Sequence, residues 1–88
     1  MCTMIALATK VNGSAKGATG WFSLTQANVG YDHATHGQFE HALLLDFVNP
    51  ELGASARVAV ELDIASGKAL IAQIQAAIDE AERSGVAE

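Results

Sequence analysis

Residues 55–83 read S-A-R-V-A-V-E-L-D-I-A-S-G-K-A-L-I-A-Q-I-Q-A-A-I-D-E-A-E-R, and the apolar period changes partway along. Over 55–62, Ala56, Val58, Val60 and Leu62 alternate with Arg57, Ala59 and Glu61, as a strand with one buried face requires. From Ile64 the spacing becomes helical: Leu70, Ile71, Ile74, Ala77, Ile78 and Ala81 share one side. Gln75, Asp79, Glu82 and Arg83 make the wet side. The pattern predicts one helix over 64–83, with Asp63 as N-cap, Ser66 as the alternative cap, and Gly85 as the stop. The apolar stripe of this helix is expected to be core, not a partner-binding motif.

Working back from there, N-P-E-L-G at 49–53 is a hairpin loop in which Pro50 fixes a turn φ. It follows a strand at 40–48, E-H-A-L-L-L-D-F-V. This strand is apolar on both faces, with Leu44 and Val48 on one and Leu43, Leu45 and Phe47 on the other. A further strand is expected at 21–31 (W-F-S-L-T-Q-A-N-V-G-Y), where Gly30 marks a bulge or a close approach. The first strand is 3–11, with Met4, Ala6 and Ala8 on one face and Ile5, Leu7 and Val11 on the other. Between these lies N-G-S-A-K-G-A-T-G, 12–20, expected as a turn or flexible loop. It is not G-x-x-x-x-G-K-[ST] and no helix follows it, so a phosphate-loop role is disfavoured. Trp21 and Phe22 are expected to be core or interface aromatics. The simplest architecture is an α+β two-layer sandwich, β-β-β-β-α, with four antiparallel strands and one C-terminal helix on one sheet face.

No linker, repeat or second domain interrupts the 88 residues, so a single domain, 1–88, is expected. A chain this short hides only roughly 60–65% of the surface of its unfolded form. Half of its residues are hydrophobic and 17% are charged, which excludes disorder. With one helix for two sheet faces, a homo-oligomer formed through the uncovered face is expected. Net charge is −5 and the five basic residues are scattered, so nucleic acid and anionic membrane are not expected partners. Cys2 is the only cysteine, and M-C-T-M-I-A-L-A-T-K has no basic n-region and too short an apolar stretch for a signal or span. A cytoplasmic location is expected.

Chemistry-bearing residues concentrate at 32–41, D-H-A-T-H-G-Q-F-E-H, which holds all three histidines. If the first hairpin turns near Ala15 or Lys16, Cys2 falls opposite Val29 to Tyr31. Pairing the last two strands brings His41 near Leu62 and Asp63. Cys2, His33, His36, Glu40, His41 and Asp63 are then expected at one sheet edge. Three imidazoles with a thiolate or carboxylate suit a divalent transition metal, zinc first, with copper, nickel or iron as alternatives. His33, His36 and His41 are the expected ligands, with Cys2 or Glu40 fourth. A bound water there would support hydrolase- or lyase-type chemistry. The spacing H-x2-H-x4-H matches no strong zinc signature.

Two further readings stand beside this one. His41 with Glu40 or Asp63 would serve as an acid–base pair, and Cys2 as a nucleophile. In the plainest reading, the histidines form a polar loop in a non-catalytic oligomeric accessory protein.

M-C-T at the start, G-S-x-K-G-x-x-G-W-F at 13–22, D-H with E-H-A-L-x-x-D-F at 32–47, and A-R-V-A-V-E-L at 56–62 resemble a family of small uncharacterised bacterial, actinobacterial, proteins. The resemblance spans nearly the whole chain. It implies a complete small protein and includes Cys2, Asp32, His33, Glu40 and His41, but it brings no function with it.

Overall fold

The computed structural model describes residues 5–34 and 40–85. Strands β1 (Ile5–Gly17), β2 (Gly20–His33), β3 (His41–Val48) and β4 (Arg57–Leu62) precede one helix, α1 (Ile64–Ser84). The strands form a single antiparallel sheet in the order β1-β2-β3-β4. This is the expected α+β arrangement, four strands followed by a C-terminal helix.

The helix is bounded as its sequence requires. The Asp63 carboxylate accepts the Ser66 N–H at 2.7 Å, and Gly85 takes the left-handed conformation (φ 78°) that ends the helix.

The register defines two unlike faces. Ile5 and Leu7, Val29 and Tyr31, Leu43 and Leu45, and Val60 and Leu62 share one side. The other side carries Lys10, Gln26, Asn28, Asp46, Arg57 and Glu61 between its small and aliphatic residues. Arg57 and Asp46 are diagonal neighbours there, paired at 2.8 Å. The helix lies on the apolar side, because a Cβ added at Gly67 would meet Leu43 Cδ2.

The Gly-rich stretch corrects the first expectation. Residues 12–17 belong to β1, and the turn is Ala18–Thr19 between the paired Gly17 and Gly20. Both turn residues keep negative φ, so the positive φ falls on Gly20 (φ 121°). A bulge between Lys10 and Gly13 absorbs the extra residue. Of these glycines Gly17 lies under a neighbour: its missing side chain would lie 3.2 Å from the Phe22 ring. The tip is tied down at the loop after β3. Asn49 is buried, donates its side-chain N–H to the Ser23 carbonyl at 2.8 Å and accepts the Glu51 N–H at 3.1 Å.

The helix stripe corrects the second. Within α1 only Gly67 is buried. Leu70, Ile71, Ile74 and Ile78 are exposed, Ile71 at 68%. Among the described residues, Ala42 and Ala56 are the buried apolar ones, and no large side chain is fully enclosed. The stripe is therefore mostly open, with Gly67 its one buried residue. The accessible surface is 6757 Å² and the radius of gyration 14.8 Å. A compact chain of 9.1 kDa would have about 4,900 Å² and about 12 Å.

Candidate functional site

The end of the sheet where β2 finishes and β3 begins gathers the aromatic and titratable side chains. His33 stands directly opposite His41, and Tyr31 opposite Leu43. The Ala34 N–H donates to the Glu40 carbonyl at 3.0 Å, closing the pair just beyond. The His33/His41 position is therefore a non-hydrogen-bonded pair, the kind that brings side chains closest. The two imidazoles meet at 4.5 Å between centroids with planes 31° apart. On its other side His41 stacks on Tyr31, at 5.9 Å and 18°. Three rings thus run as a ladder on the apolar, helix-bearing side. Leu62 pairs with Leu43, so Asp63 and the start of α1 lie at this same end.

The carboxylates here are occupied by backbone. Asp32 Oδ1 accepts the His33 N–H at 2.7 Å. Ser66 holds the Asp63 carboxyl below its usual range, through its hydroxyl first and its backbone N–H second.

This geometry overturns the metal expectation. Among the described residues, no group of three or more His, Cys, Asp or Glu side chains could hold a metal ion. His33 and His41 lie as a tilted ring pair and bring no third ligand among the described residues. The zinc, copper, nickel or iron site on His33, His36, His41 and Cys2, and the metal-bound water it would supply, are withdrawn. Cys2 and His36 lie outside the described residues. Glu40, exposed at a bend, immediately precedes His41.

Sequence reasoning brought His33 and His41 to the right end of the sheet but missed Tyr31 as a ring partner. The signal was present: opposing His33 with His41 puts Tyr31 on the same side two residues away. Asn49 was also missed, since Pro50 drew attention to the turn's φ and away from the cap in front of it. Among the described residues and away from the ladder, the surface carries open depressions. One is bordered by Gln26, Asn28, Val48, Pro50, Ala56 and Arg57, another by Leu62, Ser66, Ala69, Leu70 and Gln73.

Fold and site together define a small α+β protein: a four-stranded meander with a lightly attached helix and a cross-strand ring ladder at the helix end. The chain belongs to the Family of unknown function (DUF6295), whose model matches residues 1–87. No curated protein and no solved structure matches it. Among the described residues, no helix is long and apolar enough to cross a membrane.

Proposed function

We propose that this protein works as a homo-oligomeric interaction protein, without catalysis of its own, in the cytoplasm. One observation carries the reading: the described part of a single copy encloses no large side chain, while nine large hydrophobic residues are exposed. Hydrophobic burial is the main favourable term in folding, so a chain that exposes this much gains its core by association. Two of the carboxylates near the ring ladder support the same reading, because Asp32 and Asp63 accept backbone N–H groups. The lone cysteine, Cys2, allows no disulfide within the chain, which suits a reducing compartment.

Sedimentation velocity of the untagged protein at micromolar concentration tests this. The expected result is a discrete dimer or higher closed assembly. A monomer at tens of micromolar would remove the basis of the proposal.

A further inference from the structure

Resting on that oligomeric reading, we infer that the partner is a second copy of this chain seated not on the sheet face that the helix leaves uncovered but on the helix-bearing side, against the open stripe of α1 and the apolar residues of β1. The set of exposed residues on this side is specific. Ile71, Ile74 and Ile78 are exposed on α1, and Ile5 and Leu7 on β1. Ile5 and Leu7 share the sheet side on which Gly67 rests. The opposite face carries Lys10, Asp46, Arg57 and Glu61, whose charges would lose hydration in a dry interface.

The helix spacing points the same way. Ile64, Gly67, Ile71, Ile74, Ile78 and Ala81 alternate steps of three and four residues, the seam by which one helix packs along another. Within one copy Gly67 is the one buried residue of that seam. α1 touches the sheet at β3, and the β1 edge on that side stays open.

Area agrees with a second copy as occupant. The surface of 6757 Å² exceeds that of a compact chain of this mass by about 1,900 Å². A stable interface takes about 800 Å² from each partner, and obligate homodimers take more. A two-fold pair using the same surface twice, at the obligate end of this range, buries area of that order on each copy.

The test combines mass measurement with two variants. Ile71→Asp/Ile78→Asp is expected to weaken self-association on the order of 100-fold or more, while Ala59→Asp on the charged face leaves it unchanged. A second measurement does not require a disrupted interface. In a Cys2→Ser background, Ile71→Cys is expected to react with a thiol reagent at least about ten-fold more slowly than Ala59→Cys at assembling concentrations. If the wild type assembles but position 71 reacts as fast as position 59, the interface lies elsewhere and this placement fails while the oligomeric reading stands. If the wild type is a monomer, both fail.

Discussion

The Cβ that Gly30 lacks would sit 2.6 Å from the carbonyl oxygen of Ile5. No side chain fits between these backbones, so β1 reaches Tyr31 and closes the sheet edge only because residue 30 is glycine. Gly30→Ala is expected to destabilise by about 1–3 kcal/mol as β1 is pushed off β2. Gly13, with nothing within 4 Å of its missing Cβ, is the control. Gly13→Ala is expected to be neutral or to stabilise by up to about 1 kcal/mol. Urea unfolding of the two variants decides this, and equal effects would mean that the close approach imposes no constraint.

Asn49 joins the β3–β4 loop to β2 through the Ser23 carbonyl. Asn49→Ala leaves that carbonyl and the Glu51 N–H without this partner, at an expected cost of about 1–3 kcal/mol. Hydrogen exchange at the Glu51 amide should speed up in the variant more than exchange in α1. Uniform acceleration would show that Asn49 acts on the whole fold and not on the loop.

Asp63 links stability to acid. Its folded-state carboxyl lies below the ordinary 3.8, so the unfolded chain takes up a proton first as pH falls. The cap's contribution is complete above the unfolded value and is lost as pH drops through the lower, folded one. Melting temperatures measured from pH 7 down to pH 3 should therefore fall less steeply for Asp63→Asn than for the wild type. Parallel curves would assign the acid sensitivity to other carboxylates.

Tyr31 and His41 are stacked cross-strand neighbours. A double-mutant cycle with Tyr31→Leu and His41→Leu should return a coupling of about 0.5–1.5 kcal/mol. A coupling near zero would mean that the rings lie alongside each other without attraction.

The strand-to-helix change near Asp63 was legible because period 2 and period 3.6 cannot be confused over twenty residues, and the caps at Asp63 and Gly85 bear it out. The alternation in β4 also gave the correct face for Val58, Val60 and Leu62. The Gly-rich stretch was misread for a physical reason. Glycine favours loops in isolation, but here its strand conformation is held by a paired ribbon and by the Phe22 ring over Gly17. Local propensity cannot register such tertiary cover. His33 and His41 were placed at the right end, but their chemistry was not legible. Spacing shows that two imidazoles meet, whereas a metal site needs a third ligating side chain converging on the same point, which no described residue supplies. The stripe of α1 was read correctly as apolar and wrongly as core, since periodicity reports which side avoids water and not what covers it.

Every strand of this sheet pairs with its neighbour in sequence. The sheet can therefore form one hairpin at a time in the order of synthesis, with short loop closures and little topological delay. The helix is last to emerge, and a single residue, Asp63, separates it from β4. When it folds, the apolar surface already waiting for it belongs either to its own sheet or to that of a neighbouring copy being made beside it.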